Sequence, residues 1–183
     1  PSKFDDYLSF LNKIYEHKKI KDIEKIIFIS STSVYPNIEG FFNEEFEIEN
    51  SSSKIVYEAE KLVLNKSDII FRVSALVGAN RVSGRRLSNK VVEYPKSVIN
   101  FVHRNDVIDA TKFVIENNLN GTFNLCCKEH PSKEDLYSFN AKKYDFALPI
   151  FSENKEFLNR TIDGSKIEQL GFIYKHNNAF DLI

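Results

Sequence analysis

Four consecutive hydroxyl side chains, Ser30-Ser31-Thr32-Ser33, follow directly on the apolar run Ile26-Ile27-Phe28-Ile29. A Tyr-x-x-x-Lys pair, Tyr57 and Lys61, comes about one helical segment later. Free tyrosine, with a pKa of about 10, is a poor acid or base at neutral pH. A lysine ammonium one helical turn away stabilises the phenolate and lowers that pKa, and positions i and i+4 share a helix face. A serine at a neighbouring strand end, Ser31, can orient a substrate oxygen while Tyr57 moves the proton. The pattern is one of acid/base work on an oxygen. The bare motif is common in a chain with eight tyrosines and many lysines, and a second copy stands at Tyr15 and Lys19. Position after the hydroxyl cluster singles out Tyr57; the competing reading is an ordinary helix residue.

These residues need a strand, a turn and a helix to bring them together. An unbroken apolar run reads as a buried parallel strand, and a hydroxyl cluster at its carboxyl end falls where open α/β sheets bind ligands. The spacing predicts a helix over 4–18, with Phe4, Tyr7, Leu8, Leu11, Ile14 and Tyr15 on one apolar face. A strand over 26–30, a loop over 36–50 and a helix over 54–65 follow, with Ser51, Ser52 or Ser53 as its cap. The buried face of that helix is Ile55, Val56, Ala59, Leu62 and Val63, and Ile69-Ile70-Phe71 forms the next strand, running into Arg72. The helix–strand alternation is half of a doubly wound sheet. Residues 78–96 read as a polar loop, 98–102 as a strand, 105–117 as a helix and 122–127 as a strand. Ser132-x-x-Asp135 resembles a capping box for a helix over 133–143, and Gly171 stops a short helix over 165–170.

Composition narrows the field without choosing within it. The 183 residues, 42% hydrophobic and 28% charged, have a net charge of -1. They suit one soluble globular core and give no reason to expect nucleic acid or an anionic membrane as partner. No apolar run approaches the roughly 20 residues of a membrane span. Cys126 and Cys127 are adjacent on a predicted strand, so they point to opposite faces, read as buried apolar residues, and fit a reducing cytoplasm. Four scattered histidines offer no metal-binding spacing. The chain begins with proline and contains no methionine; the expectation is a piece of a longer protein.

Several motifs in order resemble the extended short-chain dehydrogenase/reductases, the NAD-dependent epimerase/dehydratase family. Ser30-Ser31-Thr32-Ser33-Val34-Tyr35 resembles its Ser-Ser-x-x-Val-Tyr-Gly strand end, with Pro36 in place of glycine. Ala59-Glu60-Lys61-Leu62 is similar to its Ala-Glu-x-Leu helix, and Ile70-Phe71-Arg72-Val73 to its strand ending in Leu-Arg. Asn100-Phe101-Val102-His103-Arg104-Asn105-Asp106 is similar to Asn-x-Ile-His-x-x-Asp, Gly121-Thr122-Phe123-Asn124-Leu125 to Gly-x-Tyr-Asn-Val, and Leu170-Gly171-Phe172 to Leu-Gly-Phe. The matches span almost the whole chain. The glycine-rich phosphate loop and the first βαβ half are not in it.

The resemblance implies a Rossmann-type parallel sheet, its second half in 1–77, and a substrate-binding portion in 78–183 that returns strands and helices to the sheet. It implies NAD or NADP as cofactor, a sugar nucleotide or similar small molecule as substrate, and is compatible with a homodimer. Ser31, Tyr57 and Lys61 would be catalytic. Ser30, Val73 and Ser74 would meet the cofactor, and Thr32, Arg81 and His103 the substrate; Arg85 and Arg86 share the polar loop with Arg81. Matching Glu60 to the family's helix glutamate instead moves the catalytic pair to Ser52 and Val56, as in atypical members without the Tyr–Lys pair. The alternative is then a non-catalytic dinucleotide-binding or interaction protein.

Overall fold

The computed structural model describes residues 4–154 and 156–181; the side chain of Phe4, placed on the first apolar face above, lies outside the described set. In chain order the elements are α1 (Phe4–Tyr15), β1 (Ile27–Ser31), β2 (Gly40–Phe42), α2 (Lys54–Val63), β3 (Ile69–Val73) and β4 (Ala75–Val77). There follow β5 (Val91–Val92), β6 (Phe101–His103), α3 (Arg104–Glu116), β7 (Gly121–Leu125), α4 (Lys133–Lys143), β8 (Ile150–Phe151), β9 (Arg160–Ile162) and α5 (Ser165–Gln169). One-turn 3-10 helices cover Lys18–Asp22, Thr32–Val34 and Arg85–Leu87. Among the described helices none is long and apolar enough to cross a membrane.

The main sheet has the order β1-β3-β7 with both pairs parallel. The apolar runs expected to be neighbouring parallel strands are so, with α2 in the crossover between them. Three smaller parallel pairs, β4-β6, β2-β9 and β5-β8, flank the sheet. The side-chain period of two sorts β3 onto two cores. Ile69 and Phe71 join Phe123, Leu125, Val114 and Leu136 on one face. Ile70 faces the other way, toward Ala59 and Val63 of α2 and Leu11 and Tyr15 of α1. A third cluster gathers Val34, Tyr35, Phe42, Cys126 and Ile162 at the carboxyl end of the strands, with Val56 packed against it.

Several expected boundaries shift for identifiable reasons. The strand read as 122–127 ends at Leu125, because its partner β3 ends at Val73 and the two are the last register pair. Cys127 then donates its N–H to Phe101 O at 2.9 Å, and the chain passes to β6. The two cysteines are free thiols in different clusters, Cys126 beside Ile162 and Cys127 beside Phe101. Loops read over 36–50 and 78–96 contain β2 and β5, strands of three and two residues that are too short to show a period. Ser53 is the N-cap of α2 but its side chain makes no capping bond. Ser51 and Ser52 instead donate their hydroxyls to Ser33 O at 3.1 and 2.8 Å, tying the start of α2 to the end of β1. Half of the expected box forms at α4: Asp135 N–H donates to Ser132 Oγ at 3.1 Å, while Asp135 Oδ2 accepts the Ser132 hydroxyl at 2.6 Å in place of the Ser132 backbone N–H.

Candidate functional site

A polar row crosses the main sheet one residue before β1 and β3 end: Ser30 pairs with Arg72, and Arg72 with Asn124. Ser30 and Arg72 face α2, where Glu60 waits on the buried side of the helix, and the Asn124 side chain meets Tyr35 and Asp163 O. Arg72 donates to Glu60 Oε1 from Nε at 2.9 Å and from Nη2 at 2.5 Å. Ser30 Oγ donates to Glu60 Oε2 at 2.7 Å, and Arg72 Nη1 donates to Tyr35 Oη at 2.9 Å. The Tyr35 hydroxyl lies 2.9 Å from Asn124 Oδ1 and 2.8 Å from Asn43 O. Burial pushes the Tyr35 phenol above its ordinary range, and the Arg72 cation opposes that shift. The network satisfies every charge it buries, as interiors require.

Above this row lies an open cleft of about 740 Å³. Its floor is Ser30, Ser31, Thr32 and Ser33 from the end of β1, with Val73 and Ser74 from the end of β3; Ser52, Arg81 and Arg160 stand at its walls. This is the carboxyl-end position at which parallel α/β sheets hold ligands. Ser31 Oγ accepts from Ser33 N–H at 3.2 Å and from Ser33 Oγ at 3.1 Å, so the proton is what Ser31 can offer a ligand oxygen. Among the described residues the buried Ser74 hydroxyl has no well-formed hydrogen bond; the weakly bonding Cys126 thiol stands beside it. Burial raises that thiol to about 12.

Of the nine residues read from the sequence, Ser30, Ser31, Thr32, Val73, Ser74 and Arg81 meet in this cleft. Tyr57 and Lys61 are not among its lining residues. They do share a face of α2, with Lys61 Nζ 5.3 Å from the Tyr57 ring centre, and Lys61 is exposed beside Glu58. The cleft holds Ser52 of the alternative register, and Val56, the other member, packs into the third apolar cluster. His103 also stands apart. It is buried as the N-cap of α3, its Nδ1 accepting from Asn105 N–H at 3.2 Å. Its ring stacks on His176 at 3.9 Å and packs against Gly78, where an added Cβ would meet Nε2 at 2.2 Å. Asp106 does more than favour a helix start: fully buried, it accepts Lys175 N–H at 3.0 Å and His176 N–H at 3.1 Å, pinning the C-terminal segment.

Sequence reasoning passed over Arg160. This half-buried side chain donates from Nε to Pro36 O at 2.8 Å and from Nη2 to Thr32 O at 2.5 Å. It borders both the hydroxyl cleft and a neighbouring cavity of about 700 Å³. Nothing local marks it, since its partners are 124 and 128 residues away in the chain.

No family model matches the chain. Protein YeeZ of Escherichia coli K12 is 30% identical over 178 residues, which cover 93% of this chain and 65% of that protein. Protein YeeZ of strain O157:H7 matches to the same extent, so the chain spans 65% of the length of the curated relatives it matches. Among solved structures, the UDP-glucuronic acid 4-epimerase of Bacillus cereus in complex with NAD superposes with a TM-score of 0.78 at 21% identity, over 98% of this chain and 66% of that one. MoeE5 in complex with UDP-glucose and NAD gives 0.77 at 17% identity, over 99% and 71%. The ADP-L-glycero-D-manno-heptose-6-epimerase of Helicobacter pylori gives 0.69 at 16%, over 90% and 59%. The chain therefore has the Rossmann-like α/β fold that these structures share.

Proposed function

We propose that this chain belongs to an NAD(P)-dependent enzyme of the epimerase/dehydratase type that acts on a sugar nucleotide or a similar small molecule. The observation that carries the reading is the hydroxyl-floored cleft at the carboxyl ends of β1 and β3, in a fold superposing on an NAD-bound epimerase and on MoeE5 with bound UDP-glucose and NAD. The ordered motifs of the sequence support the same family. Ser30, Val73 and Ser74 suit the nicotinamide end of a dinucleotide, and the orphaned Ser74 hydroxyl is a polar atom such a ligand would satisfy. A bound NAD(P) would supply hydride chemistry. Within the reading, Ser31 orients a substrate oxygen, Thr32 and Arg81 hold substrate, and Tyr57 with Lys61 form the acid/base pair.

A second reading, a dinucleotide-binding or interaction protein without the relay, is favoured by the position of that pair outside the cleft and by Val56 in the apolar cluster. Two measurements on the full-length protein separate these. Titration with NADH and NADPH, followed by nicotinamide fluorescence, is expected to saturate; no saturable signal with either removes the enzyme reading and leaves only an interaction protein. Tyr57→Phe is then expected to lower turnover of a sugar nucleotide by roughly 10²–10⁴-fold with cofactor affinity unchanged, the usual worth of a positioned acid/base. Unchanged turnover excludes Tyr57 from the chemistry, and cofactor binding with no turnover leaves the second reading.

A further inference from the structure

Beyond Arg160 lies the second cavity, of about 700 Å³. Asn37, Val98, Asn100 and Arg160 border both it and the hydroxyl cleft, so the two are chambers of one depression joined at the guanidinium. The second chamber combines features that a surface groove does not need. Two of its lining side chains are cations, Arg160 and Lys133, and neither makes an ion pair among the described residues. Arg160 spends Nε–H and one Nη2 hydrogen on two backbone carbonyls. Lys133 Nζ donates to Glu93 O at 3.0 Å and stands 6.0 Å from the Tyr94 ring centre. Among the described residues Glu156 is the one carboxylate in the lining, so their charges sum to an excess of positive charge. Burial lowers the pKa of both cations, and for Lys133 the nearby Glu93 carboxylate offsets only part of that, so both charges are held partly away from water.

The walls are apolar and exposed. Tyr94 is 44% and Phe157 is 53% exposed, although large aromatics gain most from burial. Tyr94 is held at φ 52°, in the left-handed region that a bulky residue rarely adopts. Such strain persists only where the surroundings impose it, and it gathers at ligand clamps.

We infer that this second chamber is a binding site for an oxyanion, carboxylate or phosphate, carried on a body with a flat apolar face. The anion sits between Lys133 and the unspent N–H groups of Arg160, and the flat face covers Tyr94 and Phe157. The two carbonyl bonds fix the guanidinium plane in advance, so little rotamer freedom is lost on binding. The inference takes the cleft as a ligand site, as the proposed function does, but needs no hydride chemistry.

The test uses full-length protein and four probes: inorganic phosphate, phenyl phosphate, acetate and benzoate, with chloride holding the ionic strength. Calorimetry or amide NMR reads the affinity. One phenyl-bearing probe is expected to bind at one site at least about 10-fold more tightly than its bare counterpart, the worth of one buried aromatic contact. Whichever phenyl probe wins decides between phosphate and carboxylate. Lys133→Gln and Arg160→Gln are each expected to weaken it at least about 10-fold, the low end for a hydrogen bond to a charged group. Arg86→Gln, outside both chambers, should leave it unchanged. If Arg160→Gln does not fold, Lys133→Gln decides, because Lys133 holds no buried partner. No saturable binding up to about 20 mM, far weaker than a millimolar Kd, overturns the inference, as does binding indifferent to Lys133→Gln. Probe binding together with silent NADH and NADPH titrations would keep this site and discard the dinucleotide reading; the reverse result would discard this site alone.

Discussion

Glu60→Ala breaks the buried Glu60–Arg72 ion pair beneath the cleft, and the structure sets the size of the effect. The Glu60 and Arg72 side chains are 7% and 8% exposed. The carboxylate accepts three hydrogen bonds, at 2.9 and 2.5 Å from Arg72 and 2.7 Å from Ser30. Truncation leaves the Arg72 guanidinium buried with the Tyr35 hydroxyl as its remaining partner. Orphaning one member of a buried pair costs about 3–5 kcal/mol, a large share of the roughly 5–15 kcal/mol that stabilises an ordinary domain. For a chain of this length each kcal/mol moves Tm by about 2–4 °C, so the expected fall is about 6–20 °C. Thermal unfolding followed by circular dichroism measures that fall and urea unfolding the free-energy loss; the chain has no tryptophan to report by fluorescence. The double variant Glu60→Leu/Arg72→Met removes both charges together. It is expected to recover at least half of the single loss, because replacing a whole buried pair by apolar residues is often near neutral. A cost below about 1 kcal/mol for Glu60→Ala, or a double variant as unstable as the summed single variants, would refute the reasoning. Because Glu60 also holds the Ser30 hydroxyl, loss of stability and disorder at the cleft floor should appear together.

Gly78→Ala should cost at least about 2 kcal/mol in urea unfolding, since φ is 101° and the new Cβ would meet His103 Nε2 at 2.2 Å. A near-silent substitution would show that the His103–His176 stack yields easily. Stability should also fall as pH rises above about 9. The buried Cys126 thiol titrates near 12 in the fold against an ordinary 9.0, so the folded state binds more protons across that window and is favoured below it. Urea midpoints flat from pH 8 to 10.5 would contradict this. For the same reason iodoacetamide at pH 8 should label Cys126 only after unfolding; rapid labelling of the native protein would show that the thiol is accessible.

The parts of this fold legible in the sequence are those whose cause is local. Strand β1 and strand β3 announce themselves as apolar runs, α2 by helical spacing, and α4 by the Ser132-x-x-Asp135 cap signal within four residues. Their parallel pairing follows because a helix between two buried strands leaves few other arrangements. The hydroxyl cluster at 30–33 likewise marks the cleft, since ligands gather at the carboxyl ends of such strands. What the sequence left open depends on contacts between distant positions. Whether Tyr57 or Ser52 borders the cleft is a question of how α2 is rotated, and that is settled by Ala59, Glu60 and Val63 turning toward β1, β3 and α1. His103 carried the same motif whether it touched substrate or capped a helix; the packing of Gly78 and His176 around it made it a cap. Strands of two or three residues have no period to read, so β2, β5, β8 and β9 arise only from their partners. Arg160 lies in one of these, and its place at the junction of the two chambers comes from carbonyls more than a hundred residues earlier, which no local pattern can encode.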